Sequence, residues 1–132
     1  MHYKLLISIL IFFASNMLLA KNYMMNCISP DFKNTAFYKF DSTTEKLLVR
    51  SVKKKWKDFC ISNTENEENT SCTFNKFNII RSSTIKNEQD YLEKYFNINF
   101  TKYSLTETIK IFKNNNLQEK VDNIYKCRKV KI

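Results

Sequence analysis

The sequence predicts a mainly β domain, a small antiparallel meander that closes into a barrel or sandwich. Three observations support this. Short runs rich in β-branched and aromatic residues alternate with polar neighbours. Polar stretches of turn-forming residues separate the runs. Seven or eight such runs follow one another, a number typical of closed or two-layered β architectures.

The first 20 residues are predicted to be a secretory signal peptide. Lys4 provides a positive start, and a mostly apolar stretch runs from Leu5 to Ala20. An uncleaved membrane anchor is the alternative. It is disfavoured because this stretch is shorter than the roughly 20 apolar residues of a membrane-spanning helix. Cleavage after Ala20 would leave residues 21–132, of a size that suits one small β domain.

The first half of the domain contains four predicted strands. Two of them, 36–40 and 47–52, flank a turn-like stretch, DSTTEK, at 41–46. Residues 56–61 lead into a loop bracketed by cysteines, and residues 73–80 lead out of it. Each run is short enough to be one strand of a meander.

The second half contains three further strands, 96–100, 105–112 and 121–132, and in each of them several large side chains fall on one face. Side chains that share one face of a sheet can form a core. The predicted core residues are Phe40, Val49, Phe59, Ile79, Ile98, Phe100, Ile109, Ile111 and Tyr125.

Residues 87–96 fit two structures. Asn87 could cap a helix, and Leu92, Tyr95 and Phe96 have helical spacing. One short helix packed against the sheet is therefore an alternative to a strand in this segment.

The turns of this chain must form without glycine, because the sequence contains none. Asparagine tolerates left-handed backbone conformations, so Asn114, Asn115 and Asn116 predict a hairpin turn. The same absence excludes glycine-rich loops that cradle phosphates.

The four cysteines, Cys27, Cys60, Cys72 and Cys127, predict two disulfides in an exported protein. Of the three possible connectivities, the spacing favours Cys60–Cys72, which closes a short polar loop. Cys27–Cys127 would then join the first strand to the last. A zinc site is disfavoured because the only histidine is His2, and no Cys-x-x-Cys redox motif is present.

No catalytic residue, cofactor site or metal site is predicted. Without a histidine after residue 2, a histidine-dependent triad is excluded. The cysteine-bracketed loop contains Glu65, Glu67 and Glu68, but it lacks the aspartates and the glycine of a calcium-binding loop. A secreted enzyme that uses carboxylates stays an alternative function, with Asp58 and either Glu88 or Asp90 as a formal pair.

The basic residues suggest a binding surface. Lys4 is the one basic residue of the first 20, so residues 21–132 carry 21 basic and 13 acidic residues, a net charge of +8. Two short segments hold eight of the 21, and one of these segments surrounds Trp56. Such a surface attracts anionic polymers or membrane surfaces, although lysines also occur as solvated strand ends. The candidate residues are Lys53, Lys54, Lys55, Trp56, Lys57, Lys126, Arg128, Lys129 and Lys131.

These features predict a small exported binding or structural module of the cell envelope, without catalysis. Its expected partner is an unknown protein or an anionic envelope component, and peripheral membrane contact is compatible with the basic surface. Nucleic acid is not an expected partner, because no helix-turn-helix or RNA-binding motif is present.

A cysteine near the start of the exported chain and a last strand ending in YKCRKV carry a family resemblance. Through Cys27, Tyr125, Cys127 and Val130, the chain resembles small exported bacterial β-barrels of the MliC-type lysozyme-inhibitor family. The resemblance implies a β-barrel fold and a location in the envelope. The inhibitory S-G-x-x-Y motif of that family is absent, so lysozyme inhibition is not implied.

Overall fold

The computed structural model describes residues 21–62 and 66–132, so the predicted signal peptide and Glu65 lie outside the described residues. The described residues form an all-β fold of nine antiparallel strands without a helix, curled into a half-barrel. The mainly β prediction is thereby confirmed. The strands are β1 (Asn22–Ile28), β2 (Thr35–Asp41), β3 (Lys46–Ser51), β4 (Lys57–Asp58), β5 (Glu67–Asn75), β6 (Asn78–Asn87), β7 (Asp90–Asn99), β8 (Ser104–Lys113) and β9 (Asn116–Val130).

Two consecutive meanders make up the sheet. Strands β1 to β4 form one and β5 to β9 the other, in the spatial order β4-β3-β2-β1-β9-β8-β7-β6-β5. Backbone pairing between β1 and β9 joins the meanders. Strands β4 and β5 follow each other in the chain but occupy opposite edges of the sheet, so curling must bring these two edges together.

The core fills the concave face of the curled sheet. Phe40 of β2 stacks with Phe74 of β5 and Phe100 after β7, with ring centroids 6.0 and 5.5 Å apart. On the other side, Phe59 makes edge-to-face contacts with Tyr38 and with Phe96. The ring pairs of Phe40 with Phe74 and Phe100, and of Phe59 with Phe96, join the two meanders, so burial of aromatic surface holds the sheet in its curled shape.

The core prediction is confirmed in its central part. Phe40, Phe59, Ile79, Ile98 and Phe100 are buried. Val49 and Tyr125 are half-buried and pack against this cluster, whereas Ile109 and Ile111 are half-buried and lie outside it. The outer parts of β6 to β9 extend beyond the closed part of the barrel, which explains the incomplete burial.

Because Ile111 is only half-buried, we expect Ile111→Ala to lower the free energy of unfolding by about 1 kcal/mol. Ile98→Ala, in the fully buried core, should cost more because it also leaves a cavity. Denaturant unfolding of both variants measures the difference. An equal loss in the two variants would contradict the assignment of Ile111 to the periphery.

The helical alternative for residues 87–96 is wrong. Asn87 ends β6 and pairs with Asp90, which begins β7, around a hairpin turn. Leu92 and Phe96 face the concave side with the core residue Ile98, while Tyr95 faces outward. Pairing with both β6 and β8 therefore overrides the local helical spacing.

The cysteine-bracketed segment contains more regular structure than a surface loop. Strand β5 already begins at Glu67, so the second half of the segment belongs to the sheet. In contrast, the strand predicted over 56–61 is reduced to the two residues of β4.

Residues other than glycine adopt the left-handed backbone conformation in the turns, as expected for a chain without glycine. Asn114 and Asn115, with φ of 52° and 64°, form the predicted β8–β9 turn. In the β2–β3 turn Glu45 has a φ of 53°. There the Asp41 carboxylate accepts hydrogen bonds from the backbone of Thr43 and Thr44, at 2.9 and 3.3 Å. These bonds lower the pKa of Asp41.

Candidate functional site

The two edges of the sheet are closed by a disulfide. Cys60, two residues after β4, is bonded to Cys72 of β5, with an S–S distance of 2.10 Å and Cα atoms 5.4 Å apart. The predicted pairing is therefore confirmed. We call this junction between β4 and β5 the seam, because side chains rather than a strand ladder close it.

A buried arginine forms the polar part of the seam. Arg81 of β6 is 3 % exposed, and its Nη2 lies 2.6 Å from Oε1 of Glu67. Its Nε donates to the Phe59 carbonyl, Nη2 donates to the Ile61 carbonyl, and Nη1 donates to Ser83. The guanidinium also lies 4.8 Å from the Phe59 ring centroid. Arg81 thus connects the chain after β4 to both β5 and β6.

The second disulfide lies where the first and last strands pair. Cys27 of β1 is directly opposite Cys127 of β9, with an S–S distance of 2.07 Å and Cα atoms 4.1 Å apart. This pairing was also predicted, and all four cysteines are thus in disulfides. Two disulfides indicate an oxidising, non-cytoplasmic compartment.

An aromatic and cationic cluster covers the convex face of β2 and β3. The Arg50 guanidinium lies 4.8 Å from the Phe37 ring centroid and 5.0 Å from that of Trp56. Lys39 Nζ lies 4.9 Å from the same Trp56 ring. Nε of Arg50 is buried and has no hydrogen-bond partner. The two cations that contact the Trp56 ring, Lys39 and Arg50, are not among the residues predicted for the basic surface.

The two predicted basic segments do not lie on neighbouring strands. Lys53, Lys54 and Lys55 are exposed residues between β3 and β4, and Lys57 is an exposed residue of β4. Three strands separate β4 from β9, a span of about 19 Å at the usual strand spacing. The disulfides hold the sheet curled but do not bring these strands side by side.

The space between the two segments is nevertheless basic and aromatic. Arg50, Phe37, Asn26 and Arg128 are opposite one another in successive strands and form one row across β3, β2, β1 and β9. This row shares the convex face with Lys39 and Lys126. Lys57 is opposite Val49, which packs against the core, so its side chain projects from the other side of the sheet. We call the remaining set the basic outer face: Lys39, Arg50, Lys53, Lys54, Lys55, Trp56, Lys126 and Arg128.

Two further predicted residues, Lys129 and Lys131, lie beside this face. Lys129 has the opposite orientation in β9 from Arg128, and its Nζ is 5.8 Å from the Tyr103 ring centroid. Lys131 follows the end of β9 and is exposed. Both contribute positive charge near the same end of the sheet.

The ion pairs among the described residues do not involve the cations of the basic outer face. In the part of the chain that the structure describes, the ion pairs join Arg81 to Glu67, Lys86 to Glu68 and Lys94 to Glu107. None of these cations belongs to the face. The loop glutamates Glu67 and Glu68 thus have their cationic partners on β6.

A buried carboxylate on β8 is a feature that the sequence analysis missed. Glu107 is 7 % exposed; it accepts a hydrogen bond from Asn123 at 3.0 Å, and Lys94 Nζ is 3.7 Å away. Burial raises the pKa of Tyr125, with the Glu107 charge as the second cause. Burial also raises the pKa of Tyr38, followed by the Tyr125 and Glu107 charges.

Glu107, Asn123 and Tyr125 border a polar cavity of about 220 Å³ beside the β1–β2 loop. A signal for Glu107 was present in the sequence, because it occupies a core-facing position between Leu105 and Ile109. Arg81 likewise follows Ile79 at the core-facing spacing. The cavity is lined by Ser29, Pro30, Asp31, Asn34, Glu107, Asn123 and Tyr125.

The carboxylates named for the enzymatic alternative are on β4 and at the β6–β7 turn. Asp58 accepts a hydrogen bond from the Cys60 backbone at 2.8 Å. Glu88 and Asp90 are exposed in and beside the β6–β7 turn. Within residues 21–62 and 66–132, no three His, Cys, Asp or Glu side chains are grouped to hold a metal ion.

The described segments contain no helix that is long and apolar enough to span a membrane. Comparison of the chain with protein-family models, curated proteins and solved structures finds no match.

Proposed function

We propose that this protein is a small exported binding module that engages an anionic partner through the basic outer face. The observation that carries the proposal is the cluster of Phe37, Lys39, Arg50 and Trp56, in which cations and aromatic rings are held together on a convex surface. A signal peptide over residues 1–20 and a periplasmic or secreted location are part of the proposal. The MliC-type resemblance supports the location and the barrel-like fold, not an inhibitory activity.

The physical basis of recognition is uncompensated charge next to aromatic surface. Described carboxylates do not pair with the cations of this face, so an anionic polymer can approach without displacing an existing ion pair. Arg50 is already held between two rings, so little conformational entropy is lost when its guanidinium meets an anion. The exposed lysines between β3 and β4 extend the positive field around this fixed centre.

Binding to anionic lipid vesicles and to an acidic polysaccharide, each at low and high salt, tests the proposal. Attraction should weaken steeply with salt, because the Debye length falls from about 10 Å at 0.1 M to about 3 Å at 1 M. Each lysine near an anionic surface contributes about 1 kcal/mol, so Lys53, Lys54 and Lys55 changed together to glutamine should weaken vesicle binding roughly 100-fold. Trp56 fluorescence reports engagement directly, since it is the only tryptophan.

A matched control removes the same charge elsewhere. Lys76 and Lys102 are exposed turn residues, and Lys113 is the exposed last residue of β8; all three lie outside the basic outer face. Their joint replacement by glutamine should weaken binding far less than the variant of the face. Equal losses in the two triple variants, or binding that is indifferent to salt, would refute the proposal. Binding to one of the two anionic materials alone would identify the class of partner.

A further inference from the structure

Strand β9 has a long unpaired edge. It extends over 15 residues, but β1 pairs only with its last part, from Lys126 to Val130. Among the described residues, none pairs with Asn116–Asn123 on that side. The side chains from Asn116 to Lys120 and that of Asp122 are exposed, so the described elements leave this part of the edge uncovered. The β1–β2 loop comes close to β9 further along, where it shares a cavity with Asn123 and Tyr125. An exposed strand edge can accept another strand.

The disulfide on β9 shows which backbone groups point out of this edge. The Cα–Cα distance of 4.1 Å between Cys27 and Cys127 fits a pair that makes no backbone hydrogen bonds between its two residues. The N–H and C=O of Cys127 therefore point toward β8. Strict alternation from Cys127 to Glu119 then directs those of Lys120 and Asp122 out of the edge, and those of Val121 toward β8.

Two copies of this strand can pair only in certain registers. Residues opposite each other in an antiparallel pair project from the same side of the sheet. A two-fold axis between identical strands must then pass through one residue position. An axis at Lys120 places two lysines opposite each other, and axes at Glu119 or Asp122 oppose two carboxylates. Only the axis at Val121 among these positions places Lys120 opposite Asp122 of the second copy.

In that register, backbone and side-chain requirements agree. Lys120 and Asp122 are the residues whose N–H and C=O groups point outward, so the two pairs can form four backbone hydrogen bonds between the copies. The same pairs bring opposite charges together twice. The Asp122 carboxylate is already oriented by a hydrogen bond from Thr108, at 2.6 Å.

We propose that the protein forms a two-fold symmetric dimer in which the β9 edges of two copies pair antiparallel about Val121. The pairing joins the two sheets into one continuous sheet. The dimer goes beyond the proposed binding function and does not depend on it, since none of its residues belongs to the basic outer face.

Analytical ultracentrifugation of the protein with both disulfides formed tests the dimer. The wild type should sediment with twice the mass of one chain. Lys120→Asp opposes two carboxylates in each pair, and Asp122→Lys opposes two lysines, so each variant alone should be monomeric. Mixing the two variants restores opposite charges in both pairs and should yield a heterodimer.

Lys113→Asp, a charge reversal at the exposed last residue of β8, is the matched control and should remain dimeric. Circular dichroism checks that each variant keeps the β fold. A monomeric wild type at the highest soluble concentration would overturn the proposal. Dimers that survive both single reversals, or a mixture that stays monomeric, would equally overturn this register.

Discussion

Replacement of Arg81 by methionine is expected to lower the free energy of unfolding by about 3–5 kcal/mol, the usual cost of breaking a buried ion pair from one side. The variant leaves the Glu67 carboxylate in a buried site without its guanidinium, 2.6 Å away in the native protein. It also removes the donors to the carbonyls of Phe59 and Ile61. Denaturant unfolding measures the loss.

Lys86→Met is the matched control for this prediction. Lys86 is on the same strand and pairs with Glu68 at 3.4 Å, but both side chains are more than half exposed. An exposed pair of this kind contributes less than about 1 kcal/mol. A double variant, Arg81→Met with Glu67→Leu, should regain much of the loss because no unpaired charge remains. Comparable losses for Arg81→Met and Lys86→Met would show that the seam does not depend on its arginine.

Joint replacement of Cys27 and Cys127 by alanine is expected to cost about 5 kcal/mol, against about 3 kcal/mol for the same change at Cys60 and Cys72. The difference follows from the sequence separations of 100 and 12 residues, because the longer loop restricts the unfolded chain more. Unfolding of the two double variants in parallel measures both values.

The opposite order of the two losses in unfolding free energy would point to an effect on the folded state. Cys60 and Cys72 connect the two edges of the sheet, so their loss could also weaken the folded state. If that variant were the less stable of the two, the seam disulfide would act mainly on the native structure, and the entropy argument would be wrong for this fold.

Local alternation was sufficient to predict much of the fold. Ile98 in β7, Phe100 directly after it and Leu105 in β8 are buried as their spacing indicates. The disulfide pairing was predictable because an even count of cysteines included one short-spaced pair. In 87–96 the local pattern was ambiguous, and pairing with neighbouring strands decided in favour of β7.

The seam could not be predicted from local patterns. Arg81 interacts with Phe59 and Glu67, which are 22 and 14 residues earlier, and these contacts exist only after the sheet curls. Strand order had the same effect on the basic residues. Lys57 and Arg128 are in strands that three other strands separate, whereas Arg50, which was not singled out, stacks on Trp56.

The nested arrangement of the two disulfides has a consequence for cleavage of the chain. A cut after Cys60 and before β5 begins at Glu67 would give two fragments, each containing one complete meander, that both disulfides still connect. A cut between Cys27 and Cys60, or between Cys72 and Cys127, would leave one covalent link. Proteolysis between Cys60 and Glu67 would therefore convert the protein into a two-chain molecule of unchanged architecture, which separates into fragments only after reduction and unfolding.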